Sequence, residues 1–377
     1  MRIVIYSGTF KKNQDGASKS LYQLTESLLK ENVEVGIWSP SITPQNRKGL
    51  YLYNLPSIPF PFYSDYRLAI IVRKIKKQIN EFKPSLIQIT LPDMVGAYIL
   101  KFAKKKGIPV VISYHTDFPS YLEYYHLNFF LKPGWRYLVW YCKNADFVYV
   151  PTQEVSGILK SKGVGNVRIW SRGVDRKLFN PKYRSNELRE KWNAGDRKVI
   201  LYAGRFVWYK ALDVFLKVYQ LFKRKNPENV SFILAGDGPI KEYLKEKMPD
   251  GHFPGYLDQE DLSRVYASAD LLLFPSNTET FGNVVLEALS SGVPAVVSDK
   301  GGCKEIIARS QGGLVAKAGD PHSFYENCMK LLKDDDLYKR MQRNGLLFAE
   351  EQRWDKINGK LIKEFKDLGK QKHLLTA

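Results

Sequence analysis

The chain has 377 residues, of which 44% are hydrophobic and 26% charged, and a formal net charge of +19. That length exceeds one ordinary core and suits two domains of about 150–200 residues each. No apolar run reaches the ~18 residues of a membrane-crossing helix, and the three widely spaced cysteines, Cys142, Cys303 and Cys328, argue against a disulfide scaffold and read as reduced, cytosolic and structural.

In chain order, strand-then-helix units recur. The β-branched run Arg2–Tyr6 predicts a strand reached with no signal peptide before it, followed by a loop through Asp15-Gly16-Ala17-Ser18 and a helix over about 19–30. Further strands are predicted at 33–38, 86–90, 110–114 and 147–150, with a helix over 95–106 that stops at Gly107. The aromatic stretch from Tyr51 to Tyr66 is expected to form a loop. A second set of short apolar runs follows at 199–203, 231–235, 271–274 and 295–298, each leading into a Gly- or Pro-bearing turn and a helical pattern. Alternating βα units with fully apolar strands imply parallel sheets covered on both faces. Two such sets imply two Rossmann-like domains with a seam near Ser171-Arg172-Gly173.

The most informative stretch runs from Pro275 to Glu287 (Pro-Ser-Asn-Thr-Glu-Thr-Phe-Gly-Asn-Val-Val-Leu-Glu). A buried strand ends at Pro275, and a helix begins near Gly282 with unpaired N–H groups at its start. Glu279 then lies on a strand's carboxyl-end loop, where open α/β sheets bind ligands, and Glu287 lies about one and a half turns into the helix. Carboxylates beside free amides suit a polyhydroxylated ligand, whose hydroxyls both donate and accept. A capped surface helix with an incidental second glutamate fits the spacing equally well.

The surroundings decide between the two. The stretch resembles the donor-site signature of the family 4 retaining glycosyltransferases. So do Ala203-Gly204-Arg205 with Lys210, Leu234-Ala235-Gly236-Asp237-Gly238-Pro239, Phe253-Pro254-Gly255-Tyr256, Gly292-Val293-Pro294, and Gly301-Gly302 with Glu305. Six motifs in the family's order are specific, and the resemblance covers about 147 to 345 densely and the amino-terminal half more thinly. The chain departs from the family at Tyr209-Lys210-Ala211, where Glu-Lys-Gly is usual, and at Asp15-Gly16, where many relatives carry a glycine pair.

The resemblance implies a GT-B fold, with two Rossmann-like domains whose parallel sheets face across a cleft. The implied divisions are 1–172 (acceptor side), 173–353 (nucleotide sugar) and 354–377, a helix crossing back to the first domain. It implies retaining, metal-independent transfer of a hexose from a UDP- or GDP-sugar, with no cofactor. Arg205 and Lys210 would stabilise the departing diphosphate, because fixed cations aimed at developing charge give the largest single catalytic effect. Glu279 would hold donor-sugar hydroxyls with the Phe281 and Gly282 amides beside Asn283, and Glu287 would hold the ribose. Gly16, Gly204, Gly236 and Tyr256 would shape the phosphate and base loops, and His115 would face the donor sugar. Asp117, Tyr121 and Tyr125 are the acceptor-side candidates, in a run that looks like the lipid-directed members of the family.

Charge and aromatics bear on the acceptor. Residues 1–170 carry 23 Lys and Arg against 11 Asp and Glu, with clusters at 73–77, 101–106 and 160–162. From Phe118 to Tyr141 there are ten aromatics, interleaved with Lys132 and Arg136. Aromatic plus basic is what an interfacial membrane segment needs, and an aromatic core or a sugar-stacking groove is the competing reading. The expectation is a cytoplasmic enzyme, peripheral on the inner face of the cell membrane, with a membrane lipid or lipid-linked glycan as acceptor. A soluble glycan acceptor, or a nucleotide-sugar epimerase or phosphorylase on the same fold, is the alternative. Nucleic acid is not an expected partner, since no recognition motif accompanies the charge. Asp334-Asp335-Asp336, the only Asp-x-Asp run, is read as acids at a helix N-terminus and not as metal ligands.

Overall fold

The computed structural model describes residues 1–12, 16–60, 63–115, 128–225 and 230–376, with residues 60, 63–66, 128 and 371–376 described by backbone alone. It divides into two compact units, Met1–Ser171 with Trp354–Ala377, and Arg172–Arg353.

The first unit carries β1 (Arg2–Tyr6), β2 (Glu34–Ser39), β3 (Leu50–Asn54), β4 (Ser57–Phe60), β5 (Tyr63–Ala69), β6 (Leu86–Ile89), β7 (Val110–Ser113), β8 (Phe147–Val150) and β9 (Val167–Ile169). Seven of these form a parallel sheet in the order β3-β2-β1-β6-β7-β8-β9. Successive side chains of β1 serve opposite faces, as the two-residue period requires. Val4 and Tyr6 join one core with Ile87, Ile99 and Leu138, while Ile3 and Ile5 join another with Leu24 and Leu28. The second core is closed by the C-terminal helix Trp354–Thr376, which buries Leu361, Ile362, Phe365 and Leu368. Polar contacts fix its register: Trp170 Nε1 donates to Asn358 Oδ1 at 3.2 Å, and the Tyr149 hydroxyl donates to Glu364 at 2.7 Å.

The stretch from Tyr51 to Tyr66 is not the expected loop. β3 extends the sheet in parallel from β2, because Tyr53 stacks on Trp38 with ring centroids 3.9 Å apart and Tyr51 meets Phe82 edge-on. β4 and β5 then form an antiparallel hairpin that pairs with no other strand among the described residues.

The second unit carries β10 (Lys198–Ala203), β11 (Val230–Ala235), β12 (His252–Gly255), β13 (Leu271–Phe274), β14 (Ala295–Ser298) and β15 (Gly313–Ala316), all parallel in the order β12-β11-β10-β13-β14-β15. The four central strands β11, β10, β13 and β14 are almost wholly buried, so their sequences read as continuous apolar runs and not as alternation, while the edge strands β12 and β15 are partly exposed. In this unit the strand order reverses between β10 and β13, and the loops leaving these two strands border the crevice where open α/β sheets bind ligands. In the first unit the reversal lies between β1 and β6. Asp334 is the N-cap of helix Asp335–Glu351, accepting from the Leu337 amide at 2.9 Å. No helix among the described residues is long and apolar enough to cross a membrane.

Candidate functional site

The loops at the reversal point of the second unit are laced together. Leaving β10, the chain runs through Gly204 and Arg205 into a 3-10 turn at Trp208–Lys210. Leaving β13, it runs through Pro275 to Gly282 into helix Asn283–Ser290. The Lys210 ammonium and the Glu279 carboxylate bridge these loops as an ion pair, and the Thr278 hydroxyl donates to the Tyr209 carbonyl at 3.3 Å. The Ser276 hydroxyl donates to the same Glu279 oxygen at 3.2 Å, and the Gly302 amide donates to the Glu279 carbonyl at 2.7 Å. The loop after β14 is tied in through the Ser298–Asn277 side-chain bond. Glu279 is thus held from three sides.

Burial acts to lower the Lys210 pKa, but the Glu279 carboxylate more than offsets this, so the ammonium is held above its usual value. The site therefore carries a fixed cation throughout the physiological range. Arg205, on the same loop, is exposed. Ala211 resolves the departure from Glu-Lys-Gly: it adopts φ +55°, the left-handed conformation a glycine would take, at a cost of about 1–2 kcal/mol for an L-residue. The turn is kept and Lys210 keeps its place.

Backbone proximity explains the glycines. Gly236 has φ +143°, and a Cβ there would collide with the Gly204 carbonyl oxygen. The two loops meet through hydrogen bonds from the Gly204 amide to the Ala235 carbonyl (3.0 Å) and from the Phe206 amide to the Asp237 carbonyl (2.8 Å). Gly282 has φ +102°, and a Cβ would collide with Cys303 Sγ. As the N-cap, Gly282 offers no side chain, so the first turn of Asn283–Ser290 has no side-chain cap. That leaves a helix N-terminus facing the same crevice, where amides and the helix dipole favour anions and oxygen ligands.

Phe281 is buried, whereas Tyr256, just past β12, is 71% exposed. Asn283 opens the helix with its Oδ1 buried and unbonded among the described residues. Glu287 is buried, and the Tyr266 hydroxyl donates to its Oε2 at 3.2 Å. Tyr266, on helix Gln259–Ser268, was not foreseen, since nothing local in the sequence connects it to Glu287. Ser276 was legible, because it stands three residues before Glu279 in the same turn.

In the first unit Gly16 is the first residue of helix Gly16–Lys30, on the side of the loop leaving β1. His115 follows β7 and meets Trp170 edge-on at 5.6 Å. It helps line a small cavity with Thr90, Ser113, Tyr114 and Tyr141 at the carboxyl ends of β6 and β7. Asp117, Tyr121 and Tyr125 lie outside the described residues. The aromatic segment divides: Tyr141 is buried in the core, while Tyr137, Trp140, Phe129 and Phe130 are exposed. Lys101 lies over the Trp140 ring and Lys162 over Trp135.

Two family profiles tile this chain: Glycosyltransferase Family 4 over residues 14–178, and Glycosyl transferases group 1 over residues 184–348. The chain belongs to this family of glycosyltransferases. It is 34% identical over 300 residues to the sulfoquinovosyl transferase of Arabidopsis thaliana, covering 77% of this chain and 57% of that protein's length. It is 26% identical over 314 residues to the alpha-monoglucosyldiacylglycerol synthase of Streptococcus pneumoniae, covering 78% and 70%. Among solved structures, Anabaena HepE in complex with UDP-glucose superposes with a TM-score of 0.77 over 97% of this chain and 100% of that one, at 18% identity. At that identity the likeness speaks for the fold alone, and the fold class is GT-B.

Proposed function

We propose that the protein is a retaining, metal-independent hexosyltransferase. It takes a sugar from a UDP- or GDP-sugar and passes it to a membrane lipid or lipid-linked glycan, working as a peripheral protein on the cytoplasmic face of a membrane. The observation that carries the reading is the Lys210–Glu279 pair at the strand-order reversal of the second unit, beside an uncapped helix N-terminus. Arg205 and Lys210 would meet the diphosphate, supplying the charge compensation that other enzymes take from a metal ion. Glu279, already tethered by Ser276, would turn its remaining acceptor capacity to sugar hydroxyls. Glu287 would accept from the ribose, with Tyr266 fixing its orientation, and Tyr256 would flank the base.

As the glycosidic bond breaks, negative charge grows on the departing phosphate, and these cations stabilise it more in the transition state than in the ground state. Retention would follow from attack on the same face, with the leaving phosphate taking the acceptor's proton. His115 would face the donor sugar near the reacting centre, and Asp117, Tyr121 and Tyr125 would serve the acceptor side. The lipid reading draws on the exposed Phe129 and Phe130, the cation–aromatic pairs around Trp135 and Trp140, and the diacylglycerol product in the pneumococcal relative's name.

The test is nucleoside diphosphate release from a panel of UDP- and GDP-sugars, with and without lipid vesicles. Release should rise with lipid, be indifferent to chelator, and vanish in Glu279→Ala while circular dichroism stays unchanged. Near-normal turnover in that variant overturns the reading, and a strict divalent-ion requirement overturns its metal independence.

A further inference from the structure

Among the described residues the β4–β5 hairpin stands apart from both main sheets and touches a core only through Ala69 at the end of β5. Its base is pinned: the Leu55 amide donates to the Ser39 carbonyl at 2.9 Å, the Ile70 amide to the Pro56 carbonyl at 2.8 Å, and Leu55 is buried. Beyond that base the two strands pair only with each other. A lone two-stranded hairpin is marginal in water. This one is braced by Arg67, whose guanidinium donates to the Ser57 hydroxyl at 2.8 Å and to the Ser57 carbonyl at 3.0 Å.

Its faces differ. Ile58 stands opposite Leu68 in the register, and Ile70 follows two residues on. The two-residue period of a strand places the three on one side. All three are exposed, at 52%, 39% and 43%, with Ile71 adjoining at 39%. Immediately after them, helix Arg73–Phe82 turns Ile75 and Ile79 into the core and leaves Arg73, Lys74 and Lys77 exposed. Lys77 lies 3.9 Å from Glu81, whereas Arg67, Arg73 and Lys74 form no ion pair among the described residues. The arm thus presents an apolar face with cations at its root.

We propose that this hairpin is an insertion arm that docks the protein on anionic lipid surfaces. The proposal rests on the lipid-acceptor reading above and names the element that engages the membrane. An exposed apolar face formed by Ile58, Leu68 and Ile70, with Lys and Arg following it in the chain, matches the acyl boundary and the anionic headgroups of a bilayer surface. A second copy of the chain is a poorer occupant. Pro59 removes an N–H from the β4 edge, and the register shifts at Pro59/Phe60, two features that blunt strand addition.

The experiment uses Ile58→Cys labelled with a polarity-sensitive fluorophore. The native Cys142, Cys303 and Cys328 are all buried, so the introduced thiol is the accessible one. With vesicles of phosphatidylglycerol and phosphatidylcholine the emission should shift to the blue, and with phosphatidylcholine alone it should not. In parallel, Ile58→Glu with Leu68→Glu should lower co-sedimentation with the anionic vesicles at least tenfold and leave hydrolysis of the nucleotide sugar unchanged. An unshifted probe on protein that does co-sediment overturns the arm and leaves the lipid reading standing. Lipid-dependent transfer that is absent, with vesicle binding also absent, overturns the lipid reading itself. A blue shift that needs no vesicles and grows with protein concentration identifies self-association and overturns the membrane assignment.

Discussion

Replacing Glu279 with Gln tests the electrostatics of the site separately from its shape, because the amide keeps the side chain's size and one acceptor oxygen. Lys210 and Glu279 side chains are each 18% exposed. Breaking a fully buried pair by removing one partner costs about 3–5 kcal/mol; with this residual exposure about 2–3 kcal/mol is expected near pH 7. The pH dependence discriminates further. In the native protein burial acts to lower the Lys210 pKa and the Glu279 carboxylate outweighs it, leaving the pKa raised. The pair's contribution is therefore fully present below the unfolded value of about 10.4 and is lost as pH rises through the higher folded value.

In Glu279→Gln burial, already the largest single influence, is opposed only by the weaker effects of Tyr209 and Cys303, so the folded pKa is expected below the unfolded one. The unfolded chain then binds more protons between the two values, and the variant's stability rises with pH in that window. The deficit of the variant relative to the native chain should accordingly be largest near neutrality and shrink toward pH 10. The assay is urea unfolding of both proteins at pH 7.0 and pH 9.5, comparing midpoints of the same transition, since two units need not unfold in one step. Urea is preferred to guanidinium because the latter screens the pair. A deficit equal at both pH values would show that Lys210 does not depend on Glu279 for its charge.

Arg205→Ala should lower kcat by about two to three orders of magnitude if the guanidinium meets charge that develops only as the sugar leaves; steady-state kinetics that show a raised KM with kcat intact would instead make it a uniform binding group. Gly282→Ala should lower thermal stability by about 3 kcal/mol, from backbone strain at φ +102° and collision of the new Cβ with Cys303 Sγ. Adding Cys303→Ala should restore about 1 kcal/mol of that, and strict additivity of the two changes would rule the collision out.

The sequence shows the second unit more fully than the first, for a physical reason. Strands buried on both faces are written as short apolar runs bounded by glycine and proline, so β10, β11, β13 and β14 stand within a residue of their expected limits. Glu279 and Lys210 were legible singly, as a carboxylate at a strand end and a cation in a glycine loop. Their pairing depends on β13 lying beside β10, which no local signal encodes. Tyr266 escaped for the same reason, since its hydroxyl reaches Glu287 from a helix across the core.

In the first unit 51–66 is expected as a loop, although Leu50, Tyr51, Leu52 and Tyr53 already alternate as a strand does and the prolines at 56, 59 and 61 follow them. Proline excludes a segment from a central strand but is compatible with an edge, and an edge is where β3 and the hairpin lie. The aromatic richness of that half likewise has two physical destinations. Tyr53 and Tyr141 have neighbours to stack on or a core to enter, while Phe129 and Phe130 remain exposed. Composition cannot separate these two fates, because both are made from the same residues. For the hairpin the strand register can, since it sets Ile58 directly opposite Leu68 on one exposed face.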